Sequence, residues 1–202
     1  MQAIEYEKIN SIKTLAYLNK HNLKTFEDLS KIVPLCYSEP ESKDFNFHVK
    51  DYYFSENIEK VWQTYLNIHP NKSWMGRRIA FSFLYDNNQK ILNYGSEKYY
   101  GLAVNQLIFI EIRIFFGIIK LAVTHHVSKI CNETKTIKIC YVKGGKSAGS
   151  QILKFIESET GTIVSHQTFY KSDSNFRDKK IYPFLHERII NHFHENVRKW
   201  IK

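Results

Sequence analysis

The stretch YPFLHERIINHFHENVRKWI, residues 182–201, reads as one long C-terminal helix. Tyr182, Leu185, Ile189, Phe193, Val197 and Trp200 recur every three or four residues and so share one face. Phe184, Ile190 and Ile201 widen that stripe. Pro183 falls in the first turn, where a helix tolerates proline, and Lys199 and Lys202 lie at the end, where the helix dipole favours cations. An apolar stripe of this length must bury against something. Residues from about 82 to 172 read as strands, so the expected partner is a sheet.

Immediately upstream, residues 172–180 form a polar connection. Gln151 to Glu157 and Thr162 to Tyr170 flank Glu159-Thr160-Gly161 as a hairpin. Thr136 to Val142, Ile119 to Ile130 after Gly117, and Leu102 to Phe115 (one bent strand or two) continue the strand pattern. Ile79 to Tyr85 and Lys90 to Tyr94 pair across Asp86-Asn87-Asn88. Phe45, Phe47 and Val49 alternate with polar residues as a first strand. A helix from Ser55 follows, with Ile58, Val61, Trp62 and Tyr65 on one face; Pro70 closes it, and a short helix is expected over 74–78.

Residues 1–42 read as a helical N-terminal extension before a main unit, 43–202. Ile9, Ile12, Leu15 and Leu18 mark an amphipathic helix ending near Asn22. Thr25 with Asp28 forms a capping box that opens a second helix, which Pro34 stops, and the polar SEPESKD run, 38–44, is a loop. Helices and strands segregated in this order predict an α+β fold, a curved antiparallel sheet wrapped around the last helix.

The 202 residues include 13 Tyr and 14 Phe and little Gly or Pro, which excludes a disordered or fibrous chain. Net charge is +9, but the lysines are scattered, and no nucleic-acid partner is expected. Cys36, Cys131 and Cys140 are odd in number with no C-x-x-C pair, which predicts a reducing compartment, the cytoplasm, rather than a disulfide framework. Glu5 and Glu7 with no apolar run argue against a signal peptide. Leu107 to Val123 is the most hydrophobic stretch, yet it holds Glu111, Arg113 and Lys120; it reads as β-structure, not a membrane span.

The strand ending at Tyr53-Phe54, followed at once by Ser55-Glu56-Asn57-Ile58-Glu59-Lys60-Val61-Trp62, resembles the strand-to-helix entry of the START-like helix-grip superfamily. The closing hairpin and the long amphipathic helix are similar to that family too, so the resemblance covers roughly residues 45–202. It implies a deep cavity between sheet and last helix that holds a hydrophobic or aromatic molecule. Polyketide cyclases and aromatases, lipid-transfer domains and plant ligand carriers belong to that superfamily. The leading helices and the long polar loop before the final helix depart from its compact pattern.

His166, Thr168 and Tyr170 share one face of the last strand, opposite Ile163 and Phe169. Facing the cavity they orient a ligand oxygen and move a proton; facing out they are solvated surface. His186 lies on the helix stripe, as an acid-base group or a satisfied core histidine, and of His192 and His194 at least one is expected to be exposed. His125 and His126 face opposite sides of a strand and do not share a metal. Glu111 and Arg113 share a face; Arg113 anchors an enolate if buried in the cavity and contributes little outside it. Lys143-Gly144-Gly145-Lys146-Ser147 is superficially like a phosphate loop, but Cys140 stands where the Walker pattern needs glycine. It reads as a hairpin connection.

The expected activity is aromatase- or cyclase-type acid-base chemistry on a polyketide-like molecule, as in secondary metabolite biosynthesis, with no metal and no cofactor. His166, Tyr170 and His186 are the candidate catalytic residues; Arg113, His125, Tyr141, Trp62 and Tyr182 are the candidate substrate-binding ones. The basic surface suits an acidic acyl-carrier partner. Alternatives are a non-catalytic carrier or sensor of a lipid or aromatic ligand, and an interaction module whose N-terminal helices dock a partner or a second copy.

Overall fold

The computed structural model describes residues 2–201, apart from the side chains of residues 40–42 and 115; Lys202 lies outside the described residues. The strands are β1 (Pro34–Leu35), β2 (Asn46–Phe54), β3 (Ile79–Asp86), β4 (Ile91–Asn93), β5 (Gln106–Ile114), β6 (Ile119–Cys131), β7 (Thr136–Val142), β8 (Ala148–Ser158) and β9 (Gly161–Lys171). They form one antiparallel sheet in the order β2-β9-β8-β7-β6-β5-β3-β4, with β1 paired to the end of β7. Both expected hairpins are present, β3 with β4 and β8 with β9. Gly149 is obligatory in the second: its φ is +128°, and an added Cβ would stand 1.9 Å from the Phe169 carbonyl oxygen.

The long helix, α5, spans Tyr182–Arg198. Ile189, Ile190, Phe193 and Val197 bury against the inner face of the sheet, beside Ile108, Ile110, Ile137 and Val164. The predicted stripe is right at its centre and wrong at its edges. Trp200 lies past the last helical residue and Phe184 on the far side of the helix, 45% and 54% exposed. His186, His194 and Asn196 are buried in their place. The polar connection before α5 ends in a π-helical turn, Arg177–Ile181, that runs straight into it.

Two shorter helices, α3 (Ile58–Asn67) and α4 (Pro70–Ser73), close one end of the core. Asn57 caps α3 by accepting from the Lys60 amide at 2.9 Å. The short helix expected over 74–78 forms four residues earlier, because Pro70 opens α4 as its first residue instead of only ending α3.

The N-terminal helices α1 (Ile12–Lys20) and α2 (Phe26–Ser30) cover the opposite, outer face of the sheet. The Thr25–Asp28 capping box forms as read. Leu18, Phe26 and Leu29 bury against Phe83, Tyr85, Leu107 and Phe109. Leu18, Phe26 and Leu29 are thereby covered by the chain's own sheet, whereas Ile12, expected on the same stripe, opens α1 and is 71% exposed. Cys36 and Cys140 form a disulfide across 104 residues, against the expectation of free thiols. The pairing of β1 with β7 brings them together, a long-range contact that no local spacing displays. Cysteine usage therefore gives no argument for a reducing compartment. No described helix is long and apolar enough to cross a membrane.

Ile190 is 1% exposed on the buried face of α5. Ile190→Ala is expected to cost about 2–5 kcal/mol, and Phe184→Ala about 0.5 kcal/mol or less. Urea unfolding of the two variants checks this; equal losses would mean the helix is rotated on the sheet.

Candidate functional site

Between the inner face of the sheet and α5 lies a cavity of about 310 Å³. Ile110, Ile112, Val123, Leu185 and Ile189 make its apolar walls. His125, Tyr141, Gln151, Tyr182 and His186 are its inner polar groups, and Lys146, Ser147 and Arg177 stand at its mouth. Arg177 donates to the Lys146 carbonyl, so the 143–147 connection and the turn before α5 are tied together there. A larger recess of about 690 Å³ beside Glu7, Lys8 and Ser96 is shallower and more polar, and is the weaker candidate for an apolar ligand.

A chain of buried hydrogen bonds runs behind the cavity wall. His166 Nε2 donates to Gln151 Oε1 at 3.1 Å, which leaves His166 Nδ1 to accept from His194 Nε2 at 2.8 Å. His194 Nδ1 in turn accepts from the Tyr65 hydroxyl. At the other end Gln151 Nε2 donates to His125 Nε2 at 3.2 Å and to the Tyr141 hydroxyl at 3.0 Å. Tyr141 and Tyr182 hydroxyls hydrogen-bond each other. The bonds that involve His125, His166 and His194 are all made with neutral imidazoles.

Burial enforces that neutrality. Desolvation holds His166, His186 and His194 well below the ordinary histidine range, reinforced by neighbouring imidazoles and, at His194, first by the Arg198 charge, and it lowers His125 to about 4. It pushes the Tyr182 hydroxyl well up, with Tyr141 adding to the effect. Among the cavity-lining histidines, three buried ring nitrogens have no partner: Nδ1 and Nε2 of His186 and Nδ1 of His125. Because His125 Nε2 accepts from Gln151, its Nδ1 carries the proton and is a free donor.

The structure thus brings His125, Tyr141, Tyr182 and His186 together in the cavity wall. His166 is 1% exposed and one layer behind them, with both nitrogens engaged. The face of β9 carrying His166, Thr168 and Tyr170 does point inward, and Phe169 stacks outside on Tyr37. Tyr170, however, donates to the Asp178 carbonyl at 2.9 Å and stacks under Tyr182, so it positions that residue. Trp62 is a core residue whose Nε1 donates to Asn132 at 3.1 Å. Arg113 lies outside the main cavity, its Nε donating to Glu111 at 2.9 Å, while Ser11 holds the other carboxylate oxygen.

In the sequence Gln151 and Tyr65 read only as strand and helix residues, and neither His192 nor His194 is exposed, against the expectation that at least one would be. His194 is 1% exposed and His192 half-buried. The signal was present: residues 186, 190, 194 and 197 follow helical spacing on one face. Among the described residues no three His, Cys, Asp or Glu side chains are placed to hold a metal ion.

No family model and no curated protein sequence matches the chain. Solved structures do. Norcoclaurine synthase from Thalictrum flavum, in complex with dopamine and hydroxybenzaldehyde, matches with a TM-score of 0.54 at 11% identity, covering 85% of this chain and 95% of the enzyme. Major latex-like protein 151 from Panax ginseng matches with a TM-score of 0.55 at 8% identity, covering 78% and 98%. KanY protein matches at 0.53 and 13% identity, covering 78% and 97%. This chain has the helix-grip fold. The helix-grip architecture expected from residues 45–202 is therefore the one observed, and identities this low establish the fold alone.

The buried imidazoles set a pH dependence. Unfolded, each titrates near 6.5; folded, each takes its proton only at lower pH, about 4 for His125. Below about pH 6.5 the unfolded chain therefore binds more protons, and stability falls as the pH falls. Each such histidine contributes up to about 1.4 kcal/mol per pH unit. Urea midpoints measured from about pH 7 down to about pH 5 should drop steeply; a flat profile would mean these rings are not held neutral.

Proposed function

We propose that the cavity binds an apolar or aromatic molecule bearing carbonyl groups and moves a proton on it, in aromatase- or cyclase-type chemistry. The observation that carries this reading is His186: a buried, neutral imidazole with both nitrogens unpartnered in a largely apolar wall. His186 takes a proton from the carbon beside one ligand carbonyl. The resulting enolate carbon attacks a second carbonyl of the same molecule, forming a carbon–carbon bond. The His125 Nδ1–H donor stabilises the oxyanion that develops, and protonated His186 returns its proton to it. Loss of water from the ring so formed completes the condensation. The apolar walls keep bulk water from the enolate. That one structure of this fold is described in complex with dopamine and hydroxybenzaldehyde supports an aromatic ligand. The net charge of +9 suits delivery by an acidic acyl-carrier protein.

A second reading, a non-catalytic carrier or sensor, is favoured by one observation: His166 and His194 already commit all four ring nitrogens to the internal chain. Native mass spectrometry of the purified protein, then incubation with a 1,5-diketone able to close by aldol condensation, separates the two. The enzyme reading expects turnover that falls about a hundredfold or more in His186→Gln, with the bound molecule retained. A ligand recovered unchanged and no cyclisation would select the carrier. An empty protein that also refuses apolar fluorescent probes would count against both.

A further inference from the structure

One end of the cavity adjoins a second recess of about 150 Å³, lined by Arg77, Arg78, Arg113 and Arg188. The two spaces share Ile114, Leu185 and Ile189 as common walls. Among the described residues, Arg113 alone of the four has a carboxylate partner, Glu111. Arg77, Arg78 and Arg188 thus bring three unpaired, solvent-exposed positive charges to one small recess, and an anion bound there lowers their mutual repulsion.

Two of the arginines are also braced by aromatic rings. The Arg77 guanidinium stands 4.9 Å from the centre of the Phe116 ring, and that of Arg188 stands 3.8 Å from the centre of Phe184. Phe116 and Phe184 are 88% and 54% exposed, so neither serves the core. An aromatic face braces a guanidinium while leaving its N–H edge free for paired bonds to an oxyanion.

Resting on the cavity reading above, we propose that this recess binds the anionic head group of an amphipathic ligand, a carboxylate, sulfate or phosphate monoester, whose apolar body lies in the main cavity. Ile114, Leu185 and Ile189 stand between the two spaces, so the ligand must pass beside these side chains to reach the arginines. Arginine is suited to such oxyanions because its planar fork donates two parallel hydrogen bonds.

Decanoate and decanol, titrated calorimetrically, test the site with equal chain lengths and different heads. The wild-type protein should bind decanoate about tenfold or more tighter than decanol. That ratio should shrink between about 50 and about 500 mM salt. In the triple variant R77Q/R78Q/R188Q it should fall toward one. Equal affinities in the wild type, or a ratio unmoved by the triple variant, would overturn the anion site while leaving the cavity intact. Failure of both probes to bind would overturn the cavity reading and the site with it. Flotation with vesicles of phosphatidylglycerol in phosphatidylcholine identifies the source. Vesicle binding lost in the triple variant together with the decanoate preference supports a lipid head group at this site. Vesicle binding with no decanoate preference overturns the proposal in favour of a membrane surface.

Discussion

Six polar side chains buried under α5 have to satisfy one another, and much of the inner structure follows from that constraint. Tyr65, His194, His166, Gln151, Tyr141 and Tyr182 form one hydrogen-bonded chain across α3, α5, β9, β8 and β7. A buried group left without its partner costs about 1–3 kcal/mol, so the chain tolerates little slippage between its elements. Hydrophobic packing alone would allow α5 to rotate or slide, since leucine and isoleucine have no preferred neighbour. The hydrogen bonds fix which residues of the helix meet which strands. Asn196 adds a further pin, donating to the backbone carbonyls of Ser73 and Met75.

The same chain determines what is free to react. Gln151 is its only amide, and an amide has distinct donor and acceptor ends. With its oxygen on His166 and its nitrogen on His125, it sets the tautomer of both rings. His125, which lines the cavity, is left with one unpaired donor, while His166 has nothing left to offer. His186 lies outside the chain, with its ring stacked on Tyr182 at 5.1 Å and edge-on to His166 at 5.7 Å. The histidine with packing contacts and no hydrogen bonds, and not the most tightly bonded one, is thus the one whose ring nitrogens stay unpaired.

How much of this the sequence displayed depended on whether a local signal existed. The long helix, both hairpins, the Thr25–Asp28 cap and the Ser55 helix all carry local periodicity or turn chemistry, and all form. Helix phase put Tyr182 and His186 on the buried stripe, whereas alternation alone did not say which face of a strand meets the cavity, so His125 and Tyr141 stood only as candidates. The disulfide was not legible, because Cys36 meets Cys140 only through the β1–β7 pairing. Nor was the direction of Arg113. Alternation distinguishes a buried face from a wet one, and on β5 both faces are buried, one by α5 and one by the N-terminal helices. Its sequence, QLIFIEIRI, therefore reads the same whichever side faces the cavity.

That two-sided burial also explains how a charged group comes to stand beside an apolar cavity. On the outer face, Glu111 is 2% exposed, and burial alone would raise its carboxyl. Hydrogen bonds from Arg113 and Ser11 outweigh this and keep its pKa low, so it stays ionised. Ser11 is the N-cap of α1, so the N-terminal layer itself holds the carboxylate that orients Arg113. Two residues on, β5 ends and the layers it separates come to a common edge. Ile114 faces the cavity there, while Arg113 lines the recess beside it. The outer helices, remote from the cavity, thus help decide which charge its rim presents.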